Sequence, residues 1–107
     1  MAHLDLVKGT LGLLILRTLE LEPRHGVAIA DRIAQTTRGT FQVKAGSLFP
    51  ALHRLEQDGA IAGEWTVVDG RRLKTYRLTA AGRRQLAAAT RDWARVVEAM
   101  RLVLEPR

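Results

Sequence analysis

Asp69-Gly70 stands between two β-prone runs, Ile61–Val68 and Arg71–Leu78, and constrains this chain more than any other feature. Asp and Gly both tolerate positive φ, so the dipeptide is a preferred two-residue hairpin turn. The spacing predicts two antiparallel strands with Trp65, Val67, Tyr76 and Leu78 facing inward and Arg71, Arg72 and Lys74 at the tip.

Three helical patterns precede the hairpin. Residues 9–21 carry Leu11, Leu14, Ile15, Thr18 and Leu19 at helical spacing, and Leu13 and Leu16 make the other side apolar too. A helix apolar all round is covered on more than one side, and in so small a chain the second cover can come from another subunit. Glu22-Pro23-Arg24 ends it, because proline disfavours a helical residue before it. A second helix is expected over Gly26–Gln35, with Ala30, Ile33 and Ala34 inward. Thr36–Val43 reads as loop with a short strand at Thr40–Val43. A third helix is expected over Gly46–Asp58, ended by Gly59 as a left-handed cap, with Leu48, Leu52 and Leu55 as its core stripe. Its opposite face carries Gly46, Pro50, His53, Arg54 and Gln57. Pro50 is tolerated only near the first turn, which fixes the helix start close to Gly46.

After the hairpin, Thr79 is a good N-cap for a helix running from Ala80 to Leu104. Leu86, Trp93, Val97, Met100 and Leu104 step by 7, 4, 3 and 4, a coiled-coil-like seam. Such a helix is about 37 Å long, longer than the small body the other elements can build. Part of the seam is therefore expected to meet a partner, most simply a second copy.

Three helices followed by a hairpin are the parts of a winged helix-turn-helix, whose third helix enters the major groove while the hairpin tip reaches the backbone or minor groove. The expected fold is thus mainly α with a small β part. It comprises a winged helix-turn-helix DNA-binding domain over 1–78 and a C-terminal dimerisation helix over 79–107, packed as one compact unit.

Charge supports that order. The net charge is +6, with 17 basic residues against 11 acidic ones. From Gly70 to Arg91 there are seven basic residues (Arg71, Arg72, Lys74, Arg77, Arg83, Arg84, Arg91) and no acidic one. A charge run is ordinarily a solvated face. Placed on a hairpin tip, it is better explained by a wing reaching for phosphate.

Other classes are disfavoured. The absence of cysteine excludes disulfide scaffolds, thiolate metal sites and cysteine nucleophiles. His3, His25 and His53 fall on different elements with no His-Glu-x-x-His spacing, and no glycine-rich phosphate loop follows a strand. No enzyme activity, cofactor or metal is therefore expected. Leu13–Leu16 is far short of the roughly 20 residues a membrane span needs, and Asp5 interrupts any signal pattern, so a soluble cytoplasmic protein is expected.

Several segments resemble the PadR family of bacterial transcription regulators: Lys8-Gly9-Thr10-Leu11, Leu13-Leu14-Ile15-Leu16, His25-Gly26, the block from Gly46-Ser47-Leu48-Phe49-Pro50 to Glu56, the Gly70-Arg71-Arg72 tip, and Tyr76-Arg77-Leu78-Thr79-Ala80-Ala81-Gly82. The match is collinear over nearly the whole chain. Two positions depart from the family pattern: Phe49 where Tyr is common, and Lys44 where a short polar cap is frequent. The resemblance implies a winged-helix homodimer repressing transcription from a palindromic operator, with the last helix packed on the first helix of the partner. It also implies, from members that hold flat aromatic effectors between paired tryptophans, a small planar aromatic effector at Trp93. On its own, Trp93 reads as an apolar seam residue.

The expected DNA-binding residues are Lys44, Ser47, Phe49, His53, Arg54 and Gln57 around the third helix and Arg71, Arg72 and Lys74 on the wing. The expected dimerisation residues are Leu11, Leu14, Leu86, Trp93, Val97, Met100 and Leu104. Arg and Gln carry paired planar groups that fit guanine and adenine edges. The alternative function is a winged-helix interaction module whose basic wing docks an acidic protein.

Overall fold

The computed structural model describes residues 9–106. His3, Asp5 and Lys8, invoked above, lie outside the described residues. The chain folds as α1 (Thr10–Leu21), β1 (Arg24–His25), α2 (Gly26–Thr36), α3 (Ala45–Gln57), β2 (Ile61–Val68), β3 (Arg71–Leu78) and α4 (Ala80–Leu104). The three strands form one antiparallel sheet in the order β1-β3-β2.

Local chemistry accounts for the boundaries. Glu22 is fully extended ahead of Pro23 and stops α1. Arg24 and His25 then pair with Tyr76 and Thr75 on the free edge of β3. This strand was not expected, and the strand expected at Thr40–Val43 does not form. The Thr40 N–H bonds instead to Thr37 O at 3.0 Å and the Phe41 N–H to the Thr37 hydroxyl at 3.1 Å, so the start of that segment folds back on the end of α2 rather than joining a ladder. His25 also caps α2, its Nδ1 accepting from the Ala28 N–H at 3.3 Å. α3 ends in a Schellman motif: Ala60 N–H reaches Leu55 O, Gly59 N–H reaches Glu56 O, and Gly59 has φ 76°. Pro50 is the sixth residue of α3, one position deeper than expected, because the helix starts at Ala45 rather than Gly46.

The core is one cluster. Ile15, Leu16 and Leu19 of α1, Ile29 and Ile33 of α2, and Leu48, Ala51, Leu52 and Leu55 of α3 meet Ala60, Ile61, Tyr76, Leu78 and Leu86. Ile29, absent from the expected inward set, is fully buried, while Ala30 and Ala34 are half-buried. Trp65 and Val67 are corrected more sharply, being 57% and 71% exposed. The pairs Ile61↔Leu78, Gly63↔Tyr76 and Trp65↔Lys74 put them on the core-facing side of the ribbon, but beyond the edge of the helical body. The face was right and the depth wrong.

Thr79 joins the wing to α4. Its hydroxyl accepts from Gly82 N–H at 3.0 Å and lies 2.6 Å from Gly59 O and 2.9 Å from Ala60 O. Thr79→Ala removes the cap and this cross-link, and should lower unfolding stability by about 1 kcal/mol, read by urea denaturation at fixed protein concentration.

Leu86 packs into the chain's own core, so it is a core residue before any partner is considered. Further along, Ala89, Trp93 and Val96 border Gly9, Thr10 and Leu13 at the start of α1 in the same chain. Beyond that point Val97, Met100 and Leu104 are exposed on a molecule measuring 60 × 33 × 21 Å. Leu11 and Leu14 are half-buried and pack on the edge of the core.

Candidate nucleic-acid interface

The face of α3 turned away from the core carries Ser47, Phe49, His53, Arg54 and Gln57, all exposed. The 3.6-residue period produces this face directly, since Leu48, Ala51, Leu52 and Leu55 take the buried positions between them. Lys44 stands at the N-cap in an extended conformation and makes no side-chain cap hydrogen bond. With no acidic residue in the first turn, that helix end presents unsatisfied N–H groups beside a lysine, a locally positive terminus.

The wing turn is type I′, with φ 52° at Asp69 and 76° at Gly70. It leaves Arg71 and Arg72 exposed at the tip. The Arg72 guanidinium sits 4.7 Å from the centre of the Trp65 ring, a cation–π contact that braces an otherwise free side chain. Between the wing and α3 runs a groove of about 440 Å³ lined by Phe49, His53 and Glu56 of α3, Trp65, Arg72 and Lys74 of the wing, and His25 and Val27 at the start of α2. Phe49, Trp65 and Tyr76 supply its aromatic lining, and Arg72 and Lys74 its cations.

Lys74 differs from the other wing cations. Its Nζ lies 2.7 Å from Glu56 Oε1, and both side chains are mostly covered. The hydrogen bond from Lys74 holds the Glu56 carboxyl below its ordinary 4.5, and the same bond raises Lys74 above 10.5. The depressed carboxyl means that the pair's stabilisation is complete above about pH 4.5 and is lost as pH falls through the lowered value; the raised ammonium keeps its own part until pH climbs past 10.5. DNA binding should accordingly show no break from this pair between pH 6 and 9, checked by titration across that range.

The seven-residue basic run is divided by the fold. Arg71, Arg72 and Lys74 belong to the wing, and Arg77 points to the opposite sheet face beside Pro23, Ala62 and Thr75. Arg83, Arg84 and Arg91 are exposed along α4. Sequence reasoning missed Glu56 and Trp65 as members of the site. The two-residue turn carried the signal for Trp65, since it fixes Trp65 opposite Lys74. Nothing local links Glu56 to a lysine 18 residues away.

Among the described residues no group of three or more His, Asp or Glu side chains is placed to hold a metal ion, and no helix is long and apolar enough to cross a membrane.

Residues 15–88 match the family model described as the transcriptional regulator PadR-like family. The chain is 42% identical over 80 residues to transcriptional regulator Rv3488 of Mycobacterium tuberculosis, spanning 75% of this chain and 69% of that one. It is 33% identical over 106 residues to an uncharacterized protein of Lysinibacillus sphaericus, spanning 98% and 97%. The crystal structure of a PadR family transcriptional regulator from Eggerthella lenta is similar at 31% identity and a TM-score of 0.82, covering 94% of this chain and 86% of that chain. A transcriptional regulator from Clostridium thermocellum shares the fold at a TM-score of 0.86 and 22% identity, covering 92% and 96%.

Proposed function

The chain belongs to the transcriptional regulator PadR-like family, and from that premise we propose that it represses transcription by binding a palindromic operator as a homodimer. The family and its structural neighbours are transcriptional regulators, not enzymes. One observation carries the reading: an exposed α3 face and a type I′ turn bearing Arg71 and Arg72 flank a single groove. In this reading the α3 face enters the major groove and the turn lies on the backbone. Residues 1–78 form the DNA-binding part, residues 79–107 the dimerisation helix, and the protein works in the cytoplasm, where the operator is.

Roles divide by chemistry. Gln57, Arg54 and His53 read base edges or adjacent phosphates, and Ser47, Phe49 and Lys44 seat the start of α3 against the backbone. Arg71 and Arg72 hold phosphates through the wing. The exposed seam of Trp93, Val97, Met100 and Leu104 pairs the two chains, with Leu11 and Leu14 of α1 beside it. Trp93 already borders a small hollow with Leu13, Ala89 and Val96, which supports a planar aromatic effector stacking there once a second indole is opposite.

Mobility-shift titration against the intergenic DNA upstream of its own gene tests the proposal. Binding that weakens steeply with salt is expected; absent or salt-insensitive binding contradicts it. Arg72→Ala should weaken binding to every sequence alike and reduce the log–log salt slope by about 0.9 per chain. Gln57→Ala should instead change discrimination between operator variants by about 1–3 kcal/mol at one base pair, read by competition with single-base substitutions.

A further inference from the structure

Glu56 is the only acidic residue of α3, and it lies on the side of the helix that faces the wing. A carboxylate on a helix that reads DNA repels the phosphate backbone, so its presence there calls for a compensating role. Its partner is Lys74 at 2.7 Å. The pair has a seat built for it at Gly63: a Cβ at that position would overlap Lys74 Cε and stand 2.9 Å from Glu56 Oε2. Two rings face the ammonium, with Nζ 5.5 Å from the centre of Tyr76 and 5.8 Å from that of Trp65.

The outer half of the wing has no core behind it, since Trp65 and Val67 are exposed. A two-stranded ribbon is marginal by itself, so its direction must be set where it meets the body. The Glu56–Lys74 bond is the ion pair that joins α3 to the wing among the described residues. Lys74 lies directly opposite Trp65, whose ring also carries Arg72, so the strut reaches the phosphate-holding tip through one aromatic ring.

We propose that Glu56 and Lys74 are positioning residues: their ion pair, seated in the space left by Gly63, fixes the angle between the wing and α3, and Lys74 binds no DNA phosphate. This assigns Lys74 a different task from the phosphate contact expected of a wing lysine, and it rests on the DNA-binding reading above. Holding the angle sets which base pairs α3 reads when Arg71 and Arg72 are on the backbone.

The two roles make opposite predictions for the acid. If Lys74 held a phosphate, Glu56→Gln would remove a repulsive charge and tighten binding, and Lys74→Gln would lower the salt slope by about 0.9 per chain. As a strut, Glu56→Gln and Lys74→Gln each weaken operator binding by about three- to thirtyfold with the slope unchanged, and the double variant is no weaker than the worse single one. Gly63→Ala alters no charge, yet its methyl displaces the flexible ends of both side chains, so it should weaken binding to a similar degree.

A second readout needs no DNA. In a Trp93→Phe background, emission from Trp65 should shift in Glu56→Gln, Lys74→Gln and Gly63→Ala alike, with far-UV circular dichroism unchanged. Unchanged or tighter binding by Glu56→Gln, a reduced slope for Lys74→Gln, or constant Trp65 emission across the three variants each overturns the strut. A wild-type protein that binds no DNA would end the DNA-binding reading instead, while the emission measurement still decides whether the pair sets the wing.

Discussion

Val97→Glu combined with Met100→Glu is expected to make the protein monomeric and to weaken binding to a two-fold symmetric operator by about 10²- to 10⁴-fold. Both side chains sit on one stripe of α4 with Trp93 and Leu104, beyond the point where Leu86 is covered by the chain's own core. Within one chain they are 47% and 53% exposed and lie outside the core cluster, so charging them should leave the winged helix folded. In the proposed dimer the same carboxylates would be desolvated against apolar partners, which costs several kcal/mol per uncompensated charge. Losing the second chain removes the second recognition helix and wing, and with them the linked binding event. Sedimentation velocity, circular dichroism and operator titration together check this. A variant that remains dimeric, or a monomer that binds as tightly as the wild type, contradicts the assignment of the seam.

Gly82→Ala is expected to destabilise the fold by about 3 kcal/mol, the upper end for overpacking. A Cβ at Gly82 would overlap the Ala60 carbonyl oxygen and stand 2.7 Å from Leu78 Cδ1. The obstacle is backbone that is itself pinned, because Ala60 O accepts from Thr79 N–H at 3.1 Å and lies 2.9 Å from the Thr79 hydroxyl. The methyl must therefore push the first turn of α4 off the body or break the bonds that end α3. Either change also re-aims the long helix, so dimerisation should weaken together with stability. Equilibrium unfolding at fixed protein concentration gives the first effect, and sedimentation the second. A loss below about 0.5 kcal/mol, the range of a neutral surface change, would show that this corner is not the tight joint described.

Much of the architecture could be read from residues whose chemistry is local. Asp69-Gly70 fixed the turn type and hence the pairing of β2 with β3, and Thr79 marked the start of α4 to the residue. Gly59 marked the end of α3 because the left-handed cap needs no other partner than the helix it ends. What escaped depends on neighbours distant in sequence. The strand Arg24–His25 is two residues long and has no periodicity to find; it exists because β3 offers it an edge. Trp65 and Val67 alternate correctly with the core, yet hydrophobicity does not tell how far the helical body extends behind a ribbon. Leu86 and Trp93 share one seven-residue step, but the first is covered by its own chain and the second is 42% exposed, a change of environment that a continuous stripe does not record.

The interface divides in the same way. The exposed polar face of α3 and the arginines at the wing tip follow from period and turn, so their presence was predictable. The Glu56–Lys74 pair was not, because it spans two elements and a glycine that leaves room for it.

Sedimentation equilibrium of the protein with a fluorescently labelled duplex carrying the upstream intergenic sequence, repeated over a salt series, tests the central claim most directly. Two recognition helices and two wings should place two chains on each duplex, with roughly 6–10 phosphate contacts and a log–log salt slope near −5 to −9. One chain per duplex, or an affinity indifferent to salt, would contradict it.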